Sequence, residues 1–292
     1  MKNYFIVILL FYFLNHSLSA LADVDKAIRV MDDSGAFVSL DKPAIKVISL
    51  SPGLTELVAA AGGLDKLQAV VSYSDFPPQV KKLPQAGSYN ALDIEKILLL
   101  QPDLVVAWKS GNPKHQIEKL KKLGLNVYIS EPDDFMDIPD TLLRLGKLMA
   151  TEKIAQKNAA QFIEQFEQLK KKYPLKKNKS VFIQIWNKPL MSVNQHHLIS
   201  KVISLCGGEN IFADTLSLTL SPSIESILEK NPDIMIATGM ADTSVQWLNR
   251  WRQWPFLSAV KNKQLYAATP AHLVRHTPRI LLGIEEVCQL IH

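Results

Sequence analysis

The chain has 292 residues, 47% hydrophobic and 21% charged, with a formal net charge of +5. This is enough apolar material for one large core or two modest ones. The lysines are dispersed or sit in short runs, Lys170-Lys171-Lys172 and Lys176-Lys177, beside a helix end where cations suit the dipole; a solvated face is expected, and no nucleic-acid partner.

Taken in chain order, residues 1–22 read as a signal peptide. Lys2 supplies the positive start, residues 4–14 are an apolar run too short for a stable membrane span, and Ala20-Leu21-Ala22 fits the small-x-small cleavage pattern. The alternative is a membrane anchor. No Cys follows the run, so no lipid anchor is expected, and no later segment holds 18 consecutive apolar residues. Cleavage after Ala22 removes Lys2 and leaves an exported, soluble chain of charge +4 beginning at Asp23.

Residues 45–130 alternate β-rich runs with helical patterns. Residues 46–50 form a strand ended by Ser51-Pro52, and 55–61 have helical composition before Gly62-Gly63 stops them. A strand over 67–72 follows, then a helix over 93–100 ended before Pro102. Residues 104–108 are a buried strand, 115–123 a helix closed by Gly124, and 127–129 a strand. This rhythm predicts a mostly parallel sheet with helices on both faces. From Ile138 to Tyr173 the apolar positions keep helical spacing instead, through Leu142, Leu145, Leu148 and Met149 and then Ile154, Ala155, Ala159, Phe162, Phe166 and Leu169. A helix of about 20 residues reaches about 30 Å and acts as a stiff rod. The βα rhythm then returns, with strands over 180–186 and 234–237 and helices over 198–205, 223–229 and 278–290.

The two halves resemble each other. Residues 93–108 match 223–238 without a gap at an offset of 130, sharing Ile94/Ile224, Glu95/Glu225, Ile97/Ile227, Leu98/Leu228, Pro102/Pro232, Asp103/Asp233 and Ala107/Ala237. A period this long marks a duplicated domain; the alternative is that helix–Pro-Asp–strand junctions look alike. The expected fold is α/β: two Rossmann-like lobes with mostly parallel central sheets, joined by one long rigid helix. Its divisions are a signal peptide 1–22, an N-terminal lobe 23–140, a connecting helix 141–175 and a C-terminal lobe 176–292. The ligand site is expected between the lobes, with little closure because the connection is stiff.

Cys206 and Cys288 are an even pair in an exported chain and read as a disulfide, the alternative being two buried thiols. Neither has a Cys or His at chelating spacing, so no metal site is expected. Catalytic motifs are missing: there is no Gly-x-Ser-x-Gly elbow, no phosphate-cradling Gly-rich loop and no His-Glu-x-x-His. The carboxylate pairs Asp32-Asp33, Asp133-Asp134 and Glu285-Glu286 read as solvated surface, and the adjacent rings of His196 and His197 diverge in any regular structure. A binding protein is expected rather than an enzyme. A secreted α/β hydrolase, the alternative from another class, lacks a nucleophile–base set.

Particular segments carry a family resemblance. Val47-Ile-Ser-Leu-Ser-Pro52 with Thr55-Glu56-Leu57, Val71-Ser-Tyr-Ser-Asp-Phe-Pro-Pro78, Pro102-Asp-Leu-Val-Val-Ala-Trp108 and Cys206-Gly-Gly-Glu-Asn-Ile-Phe212 resemble the helical-backbone substrate-binding proteins of ABC importers. That family takes up cobalamin, haem and iron-siderophores, and the 71–78 and 206–212 segments with Cys288 are most similar to its cobalamin branch. The resemblance implies a periplasmic monomer that carries vitamin B12 as cargo, without a resident cofactor, to a permease dimer in the inner membrane. Arg is scarce before residue 250, with Arg29 and Arg144 alone, which disfavours an anionic siderophore. A haem or iron-siderophore receptor of the same family is the alternative.

The site residues implied are Tyr73, Tyr89 and Trp108 in the N-terminal lobe and the loop Ala271, His272, Leu273, Val274 and Arg275 in the other. Tyr89 stands where the family has a tryptophan, and Thr219, His272 and Leu273 stand where it has aromatics. Aromatic walls suit a flat corrin, and Tyr and Arg donate to its amide oxygens or phosphate. Trp108 also fits ordinary core packing. His272 and His276 flank Arg275; either can coordinate a ligand metal or simply hydrogen-bond in the cleft. Glu95 and Glu225, equivalent in the repeat, match the paired carboxylates that dock this family onto two permease subunits, although an acid in a first helical turn also suits the dipole.

Overall fold

The structure, a computed structural model, describes residues 27–174, 179–239 and 243–292. The expected signal peptide, its cleavage point and Lys176-Lys177 lie outside those residues.

Short apolar runs form two parallel four-stranded sheets. The first holds β1 (Val47–Ser49), β2 (Leu67–Ala69), β3 (Leu104–Trp108) and β4 (Val127–Ser130) in the spatial order β2-β1-β3-β4. The second holds β5 (Lys179–Gln184), β6 (Gly208–Asn210), β7 (Ile234–Ala237) and β8 (Leu265–Ala267) in the order β6-β5-β7-β8. Both sheets thus run second-first-third-fourth, so the likeness of 93–108 to 223–238 extends to the topology of whole lobes. In each, the order reverses beside the first strand, which opens a crevice beyond the carboxyl ends of the strands.

Among the described residues the nine main helices are α1 (Pro52–Val58), α2 (Ile94–Leu99), α3 (Lys114–Lys122), α4 (Asp137–Met149), α5 (Glu152–Lys172), α6 (Leu198–Leu205), α7 (Ile224–Lys230), α8 (Thr243–Trp251) and α9 (Ile280–Ile291). The repeated motif does the same work in both lobes. Asp93 caps α2 by accepting from Lys96 N at 3.0 Å, and Ser223 caps α7 by accepting from Ser226 N at 3.1 Å. Asp103 Oδ2 accepts from the amides of Ile45 and Lys46 at 2.9 and 2.8 Å, and Asp233 Oδ2 from Ser180 N at 2.9 Å. Each Pro-Asp step therefore pins the entry of the first strand in its sheet.

Alternation along the strands sorts side chains onto two faces. Leu104 and Val106 join an inner core while Val105 and Ala107 join an outer one with Ile117 and Leu120. Val181 and Ile183 likewise face inward, and Phe182 packs outward with Met235, Trp247 and Trp251. The inner core is continuous across both lobes through α4, α5, α6 and α9.

The stretch 141–175, expected as one connecting helix, divides at Ala150, whose φ of 54° ends α4 in the left-handed region. Leu142, Leu145, Leu148 and Met149 of α4 are fully buried with the N-terminal lobe. The 21 residues of α5 then run alone from the N-terminal lobe, where Thr151 Oγ1 and Asn158 Nδ2 donate to Ala61 O and Ala60 O, to Glu285 of α9, which pairs with Lys172. Gly146 permits the tight corner, since a Cβ there would lie 2.4 Å from that of Ala155. In the C-terminal lobe, Cys206 at the end of α6 is bonded to Cys288 of α9, with a Cα–Cα distance of 4.7 Å.

Candidate functional site

The carboxyl ends of the two sheets face each other. Tyr73 follows β2, Trp108 ends β3, and Arg275 lies beyond β8 yet donates from Nη2 to Tyr73 O at 3.2 Å. That bond lies at the junction of the two lobes.

On the N-terminal side, three loops carry aromatics and are laced together. Tyr73 has a φ of 67° and is 70% exposed, so its ring is displayed rather than packed. The rings of Tyr89 and Trp108 meet at 5.9 Å and 52°. Buried Asn112 donates to Tyr89 O at 2.7 Å and Leu50 O at 2.9 Å while accepting from Trp108 N at 2.6 Å. Ser72 N donates to Gly87 O at 3.0 Å, tying the Tyr73 loop to the turn that carries Tyr89. Glu131 Oε1 accepts from Trp108 Nε1 at 3.1 Å, which satisfies the indole and fixes its plane. Gly111 passes so close over that indole that a Cβ would overlap it.

On the opposite side, the 271–275 loop is one helical turn, Pro270–Leu273, laid on α9. Glu286 anchors its start by accepting from Thr269 N at 3.0 Å. Leu273 is fully buried against the Gly283 position of α9 and supports the loop from beneath; Val274 is exposed and Ala271 half-exposed. The His272 ring lies 3.8 Å from Glu286, and burial, then the Arg279 cation, push its pKa down. His276 Nδ1 donates to Pro132 O across the lobes at 2.7 Å, and its ring stands edge-on to His197 at 5.6 Å. Burial also lowers the pKa of His276.

Arg275 is the centre of the interface. Nη1 donates to Glu56 Oε1 at 2.8 Å and to Asp75 Oδ1 at 2.5 Å. Burial opposes its charge, but the bonds to Asp75 and Glu56 outweigh that and raise its pKa. Glu56, 3% exposed, also accepts from Thr277 Oγ1 at 2.8 Å and Arg279 Nη1 at 3.1 Å. Glu56, Asp75 and Arg279 were not among the site residues expected from sequence. The available signal was a carboxylate set among Leu54, Leu57 and Val58, in a helix whose neighbours are all buried.

Sequence reasoning also passed over Trp186, which is 37% exposed beyond the end of β5. Its ring stands edge-on to Trp247 at 6.1 Å, and Nε1 donates to Lys188 O at 3.0 Å. It supplies an indole to the lobe in which Thr219, His272 and Leu273 make the expected wall less aromatic. A cavity of about 460 Å³ lies in the same lobe, walled by Trp247, Trp251, Trp254 and Gln184 with Glu225 on its lip; it shares no lining residue with the Tyr73–Arg275 region. Glu95 and Glu225 are both exposed in the first turns of their helices, and among the described residues neither makes an ion pair.

Comparison with known proteins bears on this arrangement. Residues 47–271 match the family described as periplasmic binding protein. The chain is 39% identical over 247 residues to a vitamin B12-binding protein of Vibrio cholerae, covering 84% of this chain and 88% of that one. It is 36% identical over 250 residues to the vitamin B12-binding protein of Yersinia pestis, covering 84% and 86%. Among solved structures, it is similar to the periplasmic vitamin B12 binding protein BtuF of Vibrio cholerae, with a TM-score of 0.80, 38% identity and coverage of 85% and 97%.

Proposed function

The chain belongs to the periplasmic binding protein family, and from that premise we propose that it captures cobalamin between its lobes and delivers it to an ABC importer. The observation that supports this reading is that the exposed Tyr73, on a loop bonded to the turn that carries Tyr89 of the Tyr89–Trp108 pair, meets Arg275 of the other lobe. Cobalamin is a broad, flat corrin edged with amides and carrying one phosphate. Aromatic faces match its apolar area, and tyrosine and arginine donors match its amide oxygens. We assign Tyr73, Tyr89 and Trp108 to one wall. Ala271, His272, Val274 and Arg275 form the other, Leu273 holding their loop to α9. The chain is exported by a signal peptide cut after Ala22. Glu95 and Glu225, one on each pseudo-equivalent lobe, dock onto the two subunits of the permease dimer.

Titration of the purified mature protein with cyanocobalamin, and separately with hemin, tests the assignment by calorimetry or tryptophan quenching. Cyanocobalamin binding tighter than micromolar, about −8 kcal/mol, is expected. Weaker cyanocobalamin binding together with tight hemin binding would overturn cobalamin in favour of haem.

A further inference from the structure

We infer that Glu56 is a positioning residue for the ligand site: it holds Arg275, and Arg275 holds Tyr73 in the backbone conformation that displays its ring to the cleft. The inference builds on Tyr73 being a ligand contact, as proposed above.

Tyr73 adopts a φ of 67°, a region that residues other than glycine rarely enter because Cβ crowds the following carbonyl. The residue is 70% exposed, so side-chain packing does not hold it there. Beside the backbone bonds of its neighbours, Ser72 N to Gly87 O and Ser74 N to Val71 O, the side-chain ties that hold it lead to α1. Tyr73 O accepts from Arg275 Nη2 at 3.2 Å, and Arg275 Nη1 is bound to Glu56 at 2.8 Å. The hydroxyl of the next residue, Ser74, accepts from Thr55 Oγ1 at 3.2 Å, and Thr55 is the neighbour of Glu56. The far side of the loop is clasped by the same carboxylate. Arg279, which donates to Glu56 Oε1 at 3.1 Å, lies over the Phe76 ring at 4.3 Å. Two guanidinium groups thus share one buried oxygen atom, and each grips one flank of residues 73–76. Without that negative charge the two cations would repel each other in a poorly solvated space. Asp75, half-exposed, bonds Arg275 as well, but it sits on the loop being positioned and cannot anchor it to the rest of the lobe.

The test pairs a spectroscopic readout with a mutant cycle. 3-Fluorotyrosine is placed at position 73 and its ¹⁹F signal recorded in the ligand-free protein, for wild type and for Glu56→Gln. Glutamine keeps the shape but loses the charge and points an NH₂ either at the two guanidinium groups or at the Thr277 hydroxyl. The expected result is a shifted or broadened ¹⁹F line in Glu56→Gln. Cyanocobalamin affinity should fall by about tenfold in the same variant, about 1.4 kcal/mol, and by a smaller factor when Glu56→Gln is added to Tyr73→Ala, the remainder being what Arg275 contributes as a ligand residue itself. An unchanged ¹⁹F line, or a full loss of affinity persisting in the Tyr73→Ala background, would overturn the inference. Should Glu56→Gln fail to fold, Arg275→Lys replaces it in the ¹⁹F arm. A single ammonium still meets Glu56 but cannot also reach Tyr73 O, so a displaced line is again expected and an unchanged one refutes. Absence of cyanocobalamin binding by the wild type would refute the proposed ligand, while the ligand-free ¹⁹F comparison still decides the role of Glu56.

Discussion

Removing the disulfide should destabilise the fold strongly and the ligand site weakly. Cys206 and Cys288 are both buried, and their bond spans a sequence separation of 82. Constraining a denatured chain over such a loop is worth about 4 kcal/mol in the chain-entropy model. Alanine at both positions also leaves a small void, at roughly 1 kcal/mol per site. At roughly 2–4 °C per kcal/mol for a chain of this size, the bond alone accounts for a Tm fall of roughly 8–16 °C. The assay is urea and thermal unfolding of oxidised wild type, reduced wild type and the Cys206→Ala/Cys288→Ala variant, followed by circular dichroism. Reduced wild type should fall most of the way to the variant. Well below the melt, ligand affinity should change by less than about threefold. The loop at 271–275 is tied to α9 by Glu286, which the disulfide does not touch directly. Oxidised wild type and the variant unfolding within about 1 kcal/mol of each other would refute the reasoning.

Two further predictions follow from the exposed acids and the buried imidazoles. Reversing both charges, Glu95→Lys with Glu225→Lys, should abolish cobalamin uptake by cells and leave affinity in solution within about twofold; the dipole penalty is only about 0.5–1 kcal/mol per site, and a matching loss of affinity would refute docking. Burial, and then the charge of neighbouring His276, lower the His197 pKa to about 3, and His276 is itself lowered by burial against the opposing pull of Pro132 O, Glu131 and Asp133. The unfolded chain therefore binds protons first, so stability is lost as pH falls from about 6.5 towards 3. His197 caps α6, its Nδ1 accepting from Ile199 N at 3.2 Å, and asparagine can still cap there; His197→Asn should flatten stability against pH between 4 and 6.5, and an unchanged slope refutes the assignment.

Features that depend on neighbours in the chain were legible in advance. The strand at 104–108, the helix before Pro102 and the duplication at an offset of 130 rest on local composition, and the structure carries each of them. The division of the rod at Ala150 was not legible, because a left-handed alanine leaves no glycine to mark it. The pairs Gly87–Ser88 with Ala91–Leu92 and Ser192–Val193 with Thr219–Leu220 are too short to show a period. Strand β8 and helix α8 were missed too; the indoles of Trp247 and Trp251 belong to an outer core that gathers Phe182, Phe212, Ile227 and Met235 from separate elements of the lobe.

The sequence by itself determined two similar α/β lobes, a buried cysteine pair and an exposed tyrosine in a Ser-, Asp- and Pro-rich loop, because hydrophobic period, turn chemistry and residue type act over a few positions. It singled out Tyr73 and Arg275 separately, as residues on loops. Only the tertiary structure decided that they touch, and that Glu56, 219 positions before Arg275, joins them. An ion pair across a cleft depends on how two lobes are set against each other, and no periodicity within either lobe records that.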